Sequence, residues 1–472
     1  MKKFGKACAV FLGMLFAFTM AGCAKVTTKV PVSVLPDYDA QKETLRLDIA
    51  GWCAPEWCVP EDPANAEQIA LSDKHMQLMK DCGLNVIHAN YAGDGTLQVA
   101  MGAPTAKDAF FFEQLEKYGL STYINIGRSP EMLQFIGNYS AYDAVRGYQY
   151  DEPQNSKEVD DFVKYLDAFN RDCAGKTFVV NMQPPTGNMT YGGYDEYIED
   201  IAESVTQNLS SASDKWISAD SYPLHLKDGT YSLWQSWLGN IGHVAKYGKQ
   251  YGFKKNYFMQ AMPYSAGAND RVPAYDEIRL QEYSLLAFGM DSISLFCYQT
   301  PQQNFEFSDE QVAMIDREGN PTPIYDAVKK VNAEVLEFDH VYLQFDWKGV
   351  FTSDKGVTES ARSRSTYNCF QSIADRLSVA DVASVSSVRG SENTLYGYFG
   401  DDYGNDGFMV VNYNDPHNVK NNTVTMNFNA AYGYTKAVVY AGGKKSVKDI
   451  RGNTLTLELG AGEGVFVIPY VA

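Results

Sequence analysis

Between Leu45 and Phe338, eight short apolar runs alternate with stretches that repeat an apolar residue every three to four positions. No other feature narrows the choice of fold as far. The runs lie at 46–52, 86–91, 121–126, 145–150, 177–182, 216–222, 256–261 and 292–298. Runs of that length, rich in Val, Ile, Tyr and Phe, read as strands. The intervening stretches, such as 69–82, 109–118, 159–173 and 275–288, read as amphipathic helices. Gly83 and Gly119 follow two of them, where a helix stop is expected. Strands that alternate with helices imply right-handed βαβ units and a parallel sheet. Eight such units over roughly 295 residues predict a closed (β/α)8 barrel, with a doubly wound open sheet as the alternative. No Gly-x-Gly-x-x-Gly turn follows the first run, which argues against a dinucleotide site.

A helix expected over 323–336 closes the barrel. From residue 343 onward helical periodicity is lost. Short alternating runs at 382–388, 394–400, 407–412, 423–428, 435–440, 454–459 and 464–468 are separated by Gly, Asn and Asp. They predict a small antiparallel β-sandwich. The expected domains are a barrel at 44–340 and a sandwich at 341–472.

The N-terminus has another texture. Lys2, Lys3 and Lys6 precede an apolar stretch at 7–20 and the small-residue tail Ala21-Gly22-Cys23. That stretch is short of the about 20 apolar residues of a spanning helix and has the layout of a secretory signal. The signal is expected over 1–22 and a tether, rich in Lys, Thr, Val and Pro, over 23–43. A cysteine directly after Ala-Gly resembles the lipobox of bacterial lipoproteins, although Met20 stands where that motif usually has leucine. The resemblance implies lipidation of Cys23 and an exported protein anchored to a bacterial membrane or cell surface.

Export bears on the remaining cysteines. Cys53 and Cys58 are close enough for a small loop disulfide. Cys82, Cys173 and Cys297 sit in apolar surroundings and read as packed thiols. No Cys or His pairs recur at ligand spacing, and His88, His225 and His243 are scattered, so neither a metal nor another cofactor is expected. Without the three signal lysines the chain has 37 basic and 58 acidic residues, a net charge of −21. That argues against nucleic acid and against a polybasic membrane patch, leaving the lipid as the only expected membrane contact. The 32 tyrosines suit a partner with flat apolar faces, such as an oligo- or polysaccharide.

In a (β/α)8 barrel the C-terminal ends of the strands face the substrate. The most informative end is Gly147-Tyr148-Gln149-Tyr150-Asp151-Glu152-Pro153, an aromatic run that stops at two carboxylates and a proline. The other ends supply Trp52, Asn90 and Tyr91, Asn125 and Arg128, Asn181, Asp220 and Tyr222, Gln260, and Tyr298. The set holds carboxylates, amides and aromatics, with one arginine. It has no Ser–His or Cys–His pairing and no histidine triad. Two carboxylates across a cleft suit glycosidic bond cleavage, where one delivers a proton and the other, ionised, activates water or attacks the anomeric carbon. Trp52, Asn90, Tyr91, Asn181, Tyr222, Gln260 and Tyr298 are the expected substrate contacts. Against this stand plainer roles: Asp220 as a structural bond holding Tyr222-Pro223, Gln260 as a core amide, the aromatics as core. Arg279 and Glu282 read as structural.

Several stretches resemble the barrel glycoside hydrolases, especially the β-galactosidase-like families of clan A. They are Asp220-Ser221-Tyr222-Pro223, the segment from Ala287-Phe288-Gly289 to Phe296-Cys297-Tyr298, and Gly319-Asn320-Pro321-Thr322-Pro323 running on to Val331-Asn332. The resemblance implies a glutamate acid at the end of strand four, here Glu152, preceded by Asp151 where the clan has asparagine. It also implies a glutamate nucleophile at the end of strand seven, where this chain has Gln260. A neutral amide cannot attack an anomeric carbon. The expectation is therefore a glycoside hydrolase with Glu152 as general acid and Asp220 or Asp151 as base. The alternative is a non-catalytic surface glycan-binding lipoprotein on a degenerate barrel, and a structural adhesin is a third reading.

Overall fold

The computed structural model describes residues 35–60, 62, 64–89, 102–127, 135–153, 156–184, 193–264, 271–303, 307–360 and 368–472. Cys23, Asn90, Tyr91 and Arg128 lie outside the described residues.

Six strands open the barrel: β1 (Asp48–Gly51), β2 (Val86–Ala89), β3 (Ser121–Gly127), β4 (Val145–Asp151), β5 (Thr177–Met182) and β6 (Lys215–Asp220). A hairpin of β7 (Leu224–Lys227) and β8 (Thr230–Leu233) follows, then β9 (Lys254–Gln260) and β10 (Ser292–Phe296). The eight barrel strands are parallel and close through the β1–β10 ladder, Asp48 opposite Ser292. The closed barrel is the expected one, not the open sheet. The connecting helices are α1 (Ala66–Asp81), α2 (Ala106–Tyr118), α3 (Ile136–Tyr139), α4 (Ser156–Asp172), α5 (Tyr194–Asn208), α6 (Trp237–Tyr251) and α7 (Tyr275–Ala287), with α8 (Pro323–Val335) after β10. Their ends follow local chemistry. Asn65 caps α1 by accepting from Glu67 and Gln68 N–H, Thr105 and Asp108 form a capping box on α2, and Gly119 ends α2 at φ 65°.

Strand alternation sorts each run into an outer and an inner face. Outward residues such as Tyr148, Tyr150, Phe178 and Ile217 pack with the helices. Inside, one layer is apolar: Ala50, Val86, Tyr123, Val179 and Trp216, with the Asp48–Arg146 ion pair below it. One pleat nearer the mouth the side chains change character to His88, Asn181, Ser218, Asn256 and Ser294, all buried. A barrel interior is ordinarily filled by branched apolar residues; this one carries a polar layer beneath its mouth.

After a short α9 (Asp339–Tyr342) the chain enters the sandwich: β11 (Phe345–Ser353), β12 (Thr358–Ser360), the short α10 (Asn368–Gln371), then β13 (Val385–Gly390), β14 (Thr394–Asp401), β15 (Asp406–Asn412), β16 (Asn422–Phe428), β17 (Lys436–Ala441), β18 (Lys444–Asp449), β19 (Thr454–Leu459) and β20 (Gly464–Tyr470). A six-stranded sheet, β11-β14-β15-β20-β17-β18, faces a four-stranded one, β12-β13-β16-β19. Phe351, Val388, Tyr396, Phe408, Met426 and Val467 fill the space between them. β18 carries no strand signal in the sequence, because all six of its residues are exposed and three are lysines. It is an edge strand protected by charge, without an apolar alternation. The β7–β8 hairpin, β11 and β12 were not expected either.

The outer face of the six-stranded sheet packs on α7, which is buried from Glu277 to Ala287 between barrel and sandwich. The approach needs glycine: a Cβ on Gly397 would stand 2.3 Å from the Ala287 carbonyl oxygen. Arg279 pairs with Glu334 at 3.1 Å and Glu463 at 2.7 Å, tying α7 to α8 and to the sandwich. Glu282 is fully buried and both its oxygens lack hydrogen bonds. Burial, with a smaller push from Glu334, raises its carboxyl from 4.5 to about 8. A raised carboxyl contributes stability in full below pH 4.5 and loses it as pH rises through 8, at up to about 1.4 kcal/mol per pH unit. Glu282→Gln is therefore expected to match the wild type near pH 5 and to exceed it in denaturant midpoint at pH 9.

The loop disulfide that the spacing of Cys53 and Cys58 allows is not formed. Cys53 packs with Met262, Cys297 and Phe307, and Cys58 is buried in the main core, where burial pushes its thiol upward. The two cysteines are directed into different packing clusters.

Candidate active site

The mouth of the barrel brings two carboxylates onto one amide. Asp151 ends β4, Asp220 ends β6, and Asn181 stands on β5 between them. Asn181 Nδ2 donates to Asp151 Oδ1 at 3.2 Å and to Asp220 Oδ1 at 3.4 Å. Ser218 Oγ donates to Asn181 Oδ1 at 3.0 Å. The Tyr222 hydroxyl adds a hydrogen bond to Asp220. Burial is the main cause that pushes the Asp220 carboxyl from 3.8 up to about 7; the nearby Asp151 charge adds to it, and the bonds from Asn181 and Tyr222 oppose it.

Glu152 follows Asp151 with φ 39°, a left-handed backbone that costs energy for a side chain of this kind. Its N–H donates to the Asn181 carbonyl at 2.8 Å, extending the β4–β5 ladder by one bond. Glu152 is half-buried, and its charge helps to raise the hydroxyls of Tyr194 and Tyr222. It belongs to the same mouth.

Aromatic rings stand on the β9, β10 and β1 side. Half-buried Trp52 packs 5.3 Å from both His88 and Phe258. Tyr222, Tyr264 and Phe296 pack on one another at 5.1–5.9 Å. Asp151, Asp220, Tyr222 and Glu152 are thus linked at one mouth, and Trp52 stands beside His88 and Phe258. Asn181 lies just below, with its amide engaged by the carboxylates.

Two expected contacts are corrected. Tyr298 is fully buried in the outer packing, its hydroxyl without a hydrogen bond. The strand ends at Phe296, and the aromatic it presents to the mouth is Phe296. The period-two pattern Ser292, Ser294, Phe296 carried that signal. Gln260 is also fully buried. Its Oε1 accepts from Leu224 N–H at 3.1 Å and its Nε2 donates to the Arg271 carbonyl at 3.4 Å. It fastens the segment after Tyr222, which is the core-amide role. Tyr264 and Tyr194 were missed because both lie beyond the ends of the apolar runs.

The sandwich braces this rim. Arg271 bonds Asp415 at 2.7 and 3.0 Å and Glu277 at 2.6 Å. Tyr231, on β8, stacks on His417 at 3.7 Å. Among the described residues no group of three or more His, Cys, Asp or Glu is arranged to hold a metal ion, and no helix is long and apolar enough to cross a membrane.

The sequence matches no family model and no curated protein. Among solved structures the chain is similar to a GH27 β-L-arabinopyranosidase from Geobacillus stearothermophilus, at 12% identity over 92% of this chain and 97% of that one, TM-score 0.46. It is similar to an Anoxybacillus α-amylase at 9% identity over 90% and 98%, TM-score 0.42. A β-galactosidase from the psychrophilic Marinomonas ef1 shares 12% identity, TM-score 0.44; the match covers 62% of this chain and 60% of that one. At these values function has to be read from the site residues themselves.

Proposed function

We propose that this barrel is a glycoside hydrolase in which Asp220 gives a proton to the leaving oxygen and Asp151 is its ionised partner. The observation that supports it most is the single Asn181 amide group bonded to both carboxylates. Two oxygens on one nitrogen stand no farther apart than those two bonds end to end. That favours the ~5–5.5 Å spacing of a double-displacement pair over the ~6.5–9.5 Å that leaves room for a water. In this reading Asp151 attacks the anomeric carbon while Asp220 protonates the departing oxygen. Asp220 then takes a proton from water as its oxygen displaces Asp151. The raised Asp220 carboxyl suits the donor role, which the resemblance had assigned to Glu152. Glu152 becomes a rim group for a sugar hydroxyl, and Trp52, Tyr222 and Phe296 offer ring faces.

A screen of chromogenic glycosides and natural polysaccharides tests this reading. Turnover of at least one is expected. Glycan binding without turnover of any bound glycan would overturn it in favour of a glycan-binding barrel.

We infer further that the protein is exported and anchored through a lipid on Cys23, on the strength of the signal layout and the Ala-Gly-Cys tail. Wild type expressed in a bacterium is expected to incorporate labelled palmitate and to enter the detergent phase. Cys23→Ala is expected to do neither; equal labelling of the two would rule the anchor out.

A further inference from the structure

The polar layer beneath the mouth is one directed chain of hydrogen bonds. His88 Nε2 is 3.2 Å from Ser294 Oγ, and Ser294 Oγ is 3.0 Å from Asn256 Oδ1. Asn256 Nδ2 is 2.9 Å from Ser218 Oγ, and Ser218 Oγ is 3.0 Å from Asn181 Oδ1. Asn181 then reaches Asp151 and Asp220. The five side chains come from β2, β10, β9, β6 and β5, and each is at most 6% exposed, so the chain is shielded from bulk solvent and its members bond chiefly to one another.

The ionised Asp151 at one end fixes every proton along the chain. An ionised carboxylate only accepts, so Asn181 turns its NH2 toward the carboxylates and its oxygen toward Ser218. Ser218 therefore donates to Asn181 and accepts from Asn256. Asn256 accepts from Ser294, which leaves the Ser294 oxygen to accept from His88. His88 must then carry its proton on Nε2. Its Nδ1 has no partner, and burial holds the ring neutral by pushing its pKa to about 3. No member can reverse alone without opposing two donors or two acceptors.

We infer that His88 and Ser218 are positioning residues: through this chain they hold the Asn181 amide with its donors on the Asp151–Asp220 pair. A reversed Asn181 would aim a carbonyl oxygen at two carboxyl groups and disfavour charge on both. The other titratable groups that interact with Asp220 are Tyr222 on its own loop, Tyr194 on α5 and Tyr257 on β9, and the Glu152 charge acts on Tyr194 and Tyr222. None of them contacts Asn181 Oδ1 in place of Ser218.

The inference builds on the proposed carboxylate pair, but its test needs no turnover. The test is a carboxyl-carbon NMR titration of the full chain labelled at aspartate, with Asp220→Asn supplying the assignment. Ser218→Ala and His88→Leu are expected to move the Asp220 midpoint upward by about half a pH unit or more. His88→Gln, which keeps a side-chain N–H donor, is expected to restore it. An unmoved midpoint in a folded Ser218→Ala would overturn the inference, as would a His88→Gln that behaves like His88→Leu. If the hydrolase reading fails, the shifts remain; if the chain of bonds is idle, turnover remains and the shifts vanish.

Discussion

Asp151→Asn is expected to lower kcat/KM about 10²–10⁴-fold on any glycoside the protein cleaves, and Asp220→Asn to do so on glycosides with a sugar leaving group. Glu152→Gln is expected to cost far less. The two losses should differ in kind. Asp220 supplies a proton to the leaving oxygen, so its loss matters little for a nitrophenyl leaving group and much for a sugar. Asp151 is needed for either substrate. The pH profile has a definite sign. Asp220 must be protonated to act, and its carboxyl is pushed up to about 7, so activity is expected to fall as pH rises through 7. Removing the Asp151 charge removes one of the causes of that rise, so in Asp151→Asn the Asp220 midpoint should drop toward the ordinary carboxylate range. The same sign applies to stability. The Asp220 contribution is complete below pH 3.8 and is lost as pH climbs to 7. A Glu152→Gln loss as large as that of Asp220→Asn on a sugar leaving group would return the acid role to Glu152.

Arg271→Leu is expected to lower the free energy of unfolding by about 3–5 kcal/mol. Arg271 is 2% exposed and pairs with two carboxylates that are themselves largely buried, Asp415 from the sandwich and Glu277 from α7. Leucine fills much of the volume but leaves both charges unpaired out of water, which is the costly half of a buried ion pair. Arg271→Lys should recover only part, because one ammonium cannot reproduce the fork that spans both Asp415 oxygens and Glu277. Denaturant unfolding measures the difference. Full recovery by lysine would mean that charge alone, without the fork geometry, holds the rim.

The barrel was legible because its signal is local. Each inner strand is a run of apolar or aromatic residues and each helix has its own stripe, and no distant contact is needed to read either. The sandwich was legible wherever a strand has a buried face, and illegible at β18, which has none. At the site, the strand ends supplied Asp151, Glu152, Asp220 and Tyr222, which the fold links to one another. They failed at Tyr298 because it lies beyond the end of β10, where alternation no longer sorts inside from outside, and at Gln260, the last residue of β9, because its amide is taken up by the Leu224 N–H and the Arg271 carbonyl, partners that sequence does not place. His88 looked isolated because its partner Ser294 is 206 positions away.

What the sequence determined by itself is the order of strands and helices and the presence of carboxylates at two strand ends. Those follow from periodicity and from the parity of each strand, which depend on neighbouring residues alone. Only the tertiary structure decided that Asp151 and Asp220 share one amide, that Gln260 is a fastener, and that a line of buried polar groups runs to them across five strands. Those facts depend on barrel closure, which brings β2 within reach of β10 and sets β5 between β4 and β6. Burial then gives the assembled groups properties, such as the raised Asp220 carboxyl, that none has in an unfolded chain.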